Sequence, residues 1–442
     1  MFDRRYRSHH DSEYALKSFL NLSRPDMATK EELELTLNSI PEKDERVIYF
    51  HIPFCDKICT FCNLNRGLKK DDLEEYTDFL LKEIDKYSKY EYINSKEFNA
   101  VYFGGGTPTT LSEKQLEKIL KAINEKFSLS KDVEFTFETT LHNLNPEKIE
   151  MMQELGVNRF SVGIQTFDTE GRRVLGRTYD YIETVKRLKK MREIFKGTLC
   201  IDIIYSYPGQ TISNLELDAK TLMECGIDSV SFYSLMLHEG SILHNLVENG
   251  KIRFDRDIES DKRLHNYFYE KLLENEYEML ELSKLVKPGR DEYRYIKQKY
   301  LNGDVLPIGL GAGGRIGDIG VYNMAPARTM LANKNEDYDF FNKILGIMQF
   351  GVYDLGKIEN MFSQAEYASF TEKFEQFVST GYIKQVEGEE YRLDSDGVFW
   401  GNNIAIELLK SIIKMRKNIN YEKTDFTRRS DGEKSLQKQG HR

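Results

Sequence analysis

From residue 47 onward the chain alternates short runs of β-branched and aromatic residues with longer stretches whose apolar positions recur every three or four residues. The first pattern is that of buried strands and the second that of amphipathic helices, so their alternation predicts a parallel sheet with crossover helices. Six strands are predicted: VIYFHI (47–52), FNAVYF (98–103), VEFTFE (133–138), NRFSVGI (158–164), LCIDIIYS (199–206) and DSVSFYSL (228–235). Between the second and third, Leu116, Ile119, Leu120 and Ile123 share one helical face behind Ser112 and Gln115, which stand at capping-box spacing. Asn145 and Pro146 open the next helix and Gly156 closes it. The predicted fold class is α/β, a partial (β/α)6 barrel over residues 46–250. In such barrels the chemistry gathers at the carboxyl ends of the strands.

On either side the rhythm changes. Residues 1–45 read as an N-terminal helical extension. Beyond 250 come a long amphipathic helix (257–275), a strand EYEMLELS and the glycine-rich run LPIGLGAGGRIGDIG, so residues 251–335 are expected to complete the barrel and bind substrate. Residues 336–415 read as helices ending in a hairpin, FVSTGYIKQ and EEYRLDSD, the order of a small winged-helix-like α+β domain. Residues 416–442 read as a polar tail.

Charge narrows the partners. With 63 Lys and Arg against 72 Asp and Glu, the net charge is −9 and the pI 5.6. Phosphate neutralisation needs basic clusters, so nucleic acid is not an expected partner. The first residues, MFDRRYRSHHDSEY, lack a signal-peptide apolar region and no run approaches membrane-spanning length, so a cytoplasmic protein without a membrane partner is expected.

Just after the first strand, HIPFCDKICTFCN places Cys55, Cys59 and Cys62 as CxxxCxxC. Three thiolates at this spacing can hold three corners of a 4Fe-4S cluster and leave one iron open, and an open iron can bind a small molecule and deliver an electron to it. The alternative is zinc, which would want a fourth ligand at closing distance; the nearest, His51, lies upstream on a strand. FGGGTP (103–108) leaves the second strand, where glycines let the backbone approach a ligand or simply make a tight turn. Glu138, Gln165 and Asp202 lie at or near the ends of the third, fourth and fifth strands, and Arg177 in VLGRTYD offers a forked guanidinium to a carboxylate. Cys200 and Cys225 read as ordinary buried thiols.

Together HIPFCDKICTFC, VYFGGGTPT, NRFSVGIQTFD with GRT nearby, and IDIIYSYPGQT resemble the radical S-adenosylmethionine (SAM) enzymes related to oxygen-independent coproporphyrinogen III oxidase. The resemblance covers roughly residues 45 to 240. It implies that SAM binds the open iron and is split by one electron into methionine and a 5'-deoxyadenosyl radical. It further implies that Gly105, Gly106 and Thr107 meet the methionine end, Arg177 its carboxylate, Glu138 and Gln165 the polar groups of SAM, and Asp202 the ribose region. Tyr49 and Phe61 match positions beside SAM. A low-potential flavodoxin or ferredoxin is the implied electron donor.

Departures from the pattern sort the branches. The coproporphyrinogen oxidases carry a Cys two positions after the third ligand, where this chain has Leu64; the haem chaperones have a His-Asn pair after the barrel, where this chain reads KPGRDEYRYIKQKY. That stretch and GLGAGGRIGDIGVYNM are most similar to the anaerobic haem-degrading radical SAM methyltransferases, the anaerobilin synthases. The likeness implies haem as substrate, macrocycle opening without oxygen, methyl transfer from SAM, and release of iron. A haem pocket needs apolar walls, a close backbone and a few cations. The 309–322 segment is expected to supply that backbone, Arg290, Arg294 and Arg315 to meet propionates, and His142, His238 or His244 to offer an axial ligand.

Overall fold

The computed structural model describes residues 2–22, 26–62, 67–68 and 73–417; Leu64 and the tail beyond 417 lie outside the described residues. All six predicted strands form: β1 (Arg46–Ile52), β2 (Phe98–Gly105), β3 (Leu129–Thr139), β4 (Arg159–Gln165), β5 (Thr198–Tyr205) and β6 (Ser229–Ser234). They pair in parallel and in chain order. The expected helix ends hold too. Ser112 and Gln115 make the capping box of the helix Glu113–Lys126, whose Leu116, Ile119, Leu120 and Ile123 are buried, and Asn145 caps the helix Pro146–Glu154. On the outer face of the sheet the rings of Phe50, Phe103 and Phe137 stack across β1, β2 and β3 at 4.4 and 4.1 Å. Period-two alternation then turns Tyr49, Tyr102, Glu138, Ser161, Asp202 and Tyr233 to the opposite, inner face.

Six parallel strands are one too few. The sheet has twelve, adding β7 (Glu278–Glu281), β8 (Lys284–Val286), β9 (Asp304–Ile308), β10 (Gly313–Ile316), β11 (Ile319–Ala325) and β12 (Arg328–Asn333). Their order is β12-β11-β10-β9-β1-β2-β3-β4-β5-β6-β8-β7. β9 runs parallel to β1, making a seventh barrel strand, while β10–β12 and β7–β8 extend the two edges in antiparallel fashion. The glycine-rich run is therefore the exit of β9 and its reversal into β10. Gly309 passes so close to the His51 backbone that a Cβ there would lie 2.5 Å from its carbonyl oxygen.

Residues 291–300 pack against the inner face. Asp291 takes two bonds from Arg159 (2.9 and 2.8 Å), with both side chains buried. The helix Arg294–Tyr300 lies against β1, β2 and β9. Its Tyr295 stacks on Tyr102 at 4.3 Å and on Tyr49 at 5.5 Å.

The last part contains the helix Glu336–Met348, β13 (Val352–Asp354), the helices Leu355–Glu359 and Gln364–Ser379, the hairpin β14 (Ile383–Glu387) and β15 (Glu390–Leu393), and the helices Ser395–Phe399 and Gly401–Lys417. Its antiparallel sheet has the order β13-β15-β14, compatible with a winged-helix arrangement. One apolar cluster runs through this part and the barrel without a break. The N-terminal extension forms the helices His9–Phe19 and Lys30–Leu37, and the first packs on Glu336–Met348 and Gly401–Lys417. Phe2 lies 5.0 Å from Trp400, and Arg5 donates to the Phe399 carbonyl (2.9 Å) and the Tyr205 hydroxyl (2.7 Å). Among the described residues no helix is long and apolar enough to cross a membrane.

Candidate cofactor site

One pocket opens at the carboxyl ends of β2 to β5, where sheet twist and strand exit bring successive loops together. It is lined by Cys55, Cys59 and Cys62, by Gly105, Gly106 and Thr107, and by Phe61, Glu138, Gln165, Arg177 and Asp202. Of the residues that the family resemblance sets beside SAM, Tyr49 alone is not in this lining: its hydroxyl meets His51 Nδ1 (2.9 Å) and its ring joins the tyrosine stack on the inner face.

The loop that carries the cysteines is laced to its neighbours by backbone. Gly106 N donates to the Ile52 carbonyl (2.8 Å) and Thr107 N to the Phe54 carbonyl (2.7 Å). A Cβ on Gly106 would lie 2.4 Å from that same Phe54 oxygen, so only glycine lets the turn sit this close. Gly176 does the same from the other side: it has φ +73, and a Cβ there would lie 3.0 Å from Thr60 N. Gln165 (φ +74) and Ser206 (φ +60) are held in the left-handed region at the exits of β4 and β5, a strain that concentrates where chains are bent around ligands.

Two polar side chains stand against the thiols. Arg177 Nη1 lies 3.0 Å from Cys59 Sγ, with Nη2 on the Gly163 carbonyl, and Thr107 Oγ1 lies 3.4 Å from Cys55 Sγ. Among the described residues no three His, Cys, Asp or Glu side chains gather closely enough for a single metal ion, and the thiols line the wall of a wider pocket. The donor set fits a cuboidal cluster.

The carboxylates opposite are tuned by burial. Glu138 accepts from the Tyr102 hydroxyl (2.7 Å) and Gly105 N (3.2 Å), yet burial pushes its carboxyl up to about 7, the hydrogen bonds offsetting part of the shift and nearby Asp202 adding to it. Burial also raises Asp202, against the pull of the Lys284 ammonium. A cationic ligand entering between these two groups would restore their charge.

The haem contacts read from the sequence are scattered. Arg290 pairs with Asp228 (2.9 Å), Arg294 with Asp132 (2.8 Å) and Glu292 (2.7 Å), and Arg315 takes both oxygens of Asp339 (2.6 and 2.7 Å). None of the three lines the pocket. Each is occupied by a carboxylate far away in sequence, near the amino ends of the strands. His142 lines the pocket rim, its Nδ1 3.2 Å from the Tyr179 hydroxyl. His238 is in the loop after β6 and His244 on the short helix Ile242–Glu248 that receives the Thr60 carbonyl; neither lines the pocket.

Sequence reasoning missed Arg172. Buried beneath the pocket floor, it donates to the carbonyls of Ile164 (2.9 Å), Thr166 (2.8 Å) and Tyr179 (2.5 Å), joining the β4 exit to the turn that presents Arg177. The run GRRVLGRT held the signal, since two of its three arginines face the pocket.

Three cysteines around an open-sided pocket, at the mouth of a parallel barrel and facing paired acids, suit a class of protein that joins an iron–sulfur cluster to a polar small molecule. Comparison with known proteins gives the same class. The Radical SAM superfamily model matches residues 49–222. The heme chaperone HemW of Lactococcus lactis is 30% identical over 284 residues, 64% of this chain and 73% of that one. The anaerobilin synthase of Escherichia coli O157:H7 is 33% identical over 227 residues, 50% of this chain and 51% of that one. The structure of the coproporphyrinogen III oxidase HemN of Escherichia coli superposes with a TM-score of 0.72 at 19% identity, covering 88% of this chain and 98% of that one. The chain belongs to the radical SAM superfamily, in the group that includes these haem-related proteins. Its cofactors are a 4Fe-4S cluster and SAM.

Proposed function

We propose that this protein opens the haem macrocycle without oxygen, using SAM both as radical source and as methyl donor and releasing iron with a linear tetrapyrrole. The observation that carries the reading is the aromatic cluster on the inner face of the sheet that carries the cofactor pocket. Tyr49, Tyr102, Tyr293 and Tyr295 stack into one aromatic wall, and Tyr233, two residues beyond Ser231 on the same face, continues the inner surface next to Asp202. Such walls suit a flat apolar disc.

When bound, the cluster supplies the electron that cleaves SAM. The chain's own residues do the rest. Cys55, Cys59 and Cys62 would hold the cluster, with Arg177 against the Cys59 sulfur and Thr107 against that of Cys55. The glycine turn at 105–107 meets the amino-acid end of SAM with its backbone, Arg177 pairs with the carboxylate, and Glu138 with Gln165 receives the ammonium. Asp202 would take the ribose, and Phe61 supplies an apolar wall of the pocket. The tyrosine wall keeps water from the reacting carbon. The reductant in this reading is a low-potential flavodoxin or ferredoxin.

Anaerobic incubation with haem, SAM and a strong reductant is expected to bleach the Soret band and yield 5'-deoxyadenosine with a methylated open-chain tetrapyrrole. Persistence of intact haem through many equivalents of SAM refutes the reading. A second reading, a chaperone that hands on intact haem, is favoured by the match to HemW, which spans more of this chain than the match to the anaerobilin synthase does. A ring-retaining product lighter by carbon dioxide would instead mark a porphyrinogen decarboxylase.

A further inference from the structure

A second cavity opens on the side of the barrel. It lies between Tyr233 and Ser234 of β6, the segment carrying Tyr293, Ile296, Lys299 and Tyr300, and residues 5 to 13 of the N-terminal extension. Tyr233 and Tyr293 are among its walls, and Arg5, Arg7 and Lys299 are its cations.

Those cations differ in how far they are engaged. Arg5 is used up by the Phe399 carbonyl, the Tyr205 hydroxyl and the Phe399 ring, 3.8 Å from its guanidinium carbon. Arg7 is not. Its nearest carboxylate oxygen, on Asp261, is 3.7 Å away, and Asp261 already takes two bonds from Arg256 (2.8 and 2.7 Å). Arg7 Nε is buried without a hydrogen-bond partner among the described residues. Lys299 is exposed at the same mouth and makes no ion pair among the described residues. The acids of the cavity are already satisfied: Glu13 lies 3.4 Å from both His9 and His10, and Glu281 accepts from Ser283 Oγ (2.7 Å) and N (3.2 Å). Among the described residues, Arg7 and Lys299 are thus the cavity cations without a carboxylate in hydrogen-bonding reach, Lys299 acting on Glu13 only at longer range, and they are free to meet the acid groups along one edge of a flat aromatic ligand.

We infer that Arg7 and Lys299 form a carboxylate-binding edge of this cavity, which grips the propionates of a tetrapyrrole while its ring lies against Tyr233 and Tyr293. The inference rests on the reading that the protein acts on a tetrapyrrole. It also gives the N-terminal extension a role, because residues 5 to 13 then complete the site.

The test uses the full chain with its cluster, titrated anaerobically with haem and with haem dimethyl ester, whose propionates carry no charge. Wild type is expected to bind haem at least tenfold more tightly than the diester. The double variant Arg7→Gln/Lys299→Gln is expected to bind both ligands as wild type binds the diester. The single variant Lys299→Gln, at an exposed position that does not endanger folding, is expected to lose at least threefold of the preference. Equal wild-type affinity for the two ligands, or a preference kept by both variants, overturns the inference while tetrapyrrole binding stands. Absence of binding to either ligand by wild type removes the tetrapyrrole reading itself and the inference with it.

Discussion

Gly106→Ala places one methyl group against the backbone of the loop that carries the cysteines. The new Cβ would start 2.4 Å from the Phe54 carbonyl oxygen, and an ordinary contact begins at 3.4 Å, so the loop and the turn must separate by about 1 Å. That movement also stretches the bonds from Gly106 N to Ile52 and from Thr107 N to Phe54. Overpacking of this kind costs about 1–3 kcal/mol. The cost falls at a loop rather than in the apolar cluster, so it is expressed as displacement of Cys55 relative to Cys59 and Cys62. Iron and sulfide per chain after anaerobic reconstitution are expected to fall below half of the wild-type content, while the thermal transition stays cooperative and drops by only a few degrees. Gly67→Ala is the control: Gly67 pairs with Phe54, beside the same loop, and has nothing within 4 Å of an added Cβ. A Gly106→Ala protein with full cluster content would refute the argument that backbone contact sets the loop.

Four further outcomes follow from the geometry. Replacing any of Cys55, Cys59 or Cys62 by Ala is expected to abolish reductive SAM cleavage with the circular dichroism unchanged; one fully active variant would end that ligand assignment. Arg177→Ala is expected to weaken SAM binding tenfold or more in calorimetry and leave haem binding within twofold, whereas equal losses would indicate misfolding. The Glu138 carboxyl stays neutral in the fold up to about 7 but ionises from about 4.5 once unfolded, so stability without ligand should fall as pH rises across that window, by at most about 3 kcal/mol, and level off above it; urea melts of Glu138→Gln should lose this slope, and a slope unchanged in the variant would place its origin elsewhere. Asp291→Ala strands the Arg159 guanidinium in the barrel and is expected to cost about 3–5 kcal/mol, most of it regained in Arg159→Met/Asp291→Leu; a single variant within 1 kcal/mol of wild type in chemical denaturation would show that the pair is not desolvated.

The six strands and the cysteine loop were legible because both signals are local: an alternating apolar run and a three-residue spacing. β9 was not. It is five residues long, contains Pro307, and runs straight into glycines, all of which argue against a strand in isolation. It forms because β1 needs a partner on its open edge, a demand that arises only once the barrel curls. The carboxylate partners of the three arginines were not legible for a related reason. Arg290, Arg294 and Arg315 sit in a segment of the right general character, but their partners Asp228, Asp132 and Asp339 are set by tertiary contact over 24 to 162 positions. The cations with charge to spare, Arg7 and Lys299, come from opposite sides of the barrel sequence and nothing local marks them as a pair.

The pairing of β1 with β9 sets a timetable for synthesis. The first strand is complete at residue 52 and its outer neighbour begins at 304, so the ribosome must add some 250 residues before the exposed rim of hydrogen-bonding groups can be covered. At roughly 5–20 residues per second that is about 13 to 50 seconds of nascent chain with a bare sheet margin. Aggregation of truncations ending before 304 is the outcome this order of synthesis predicts.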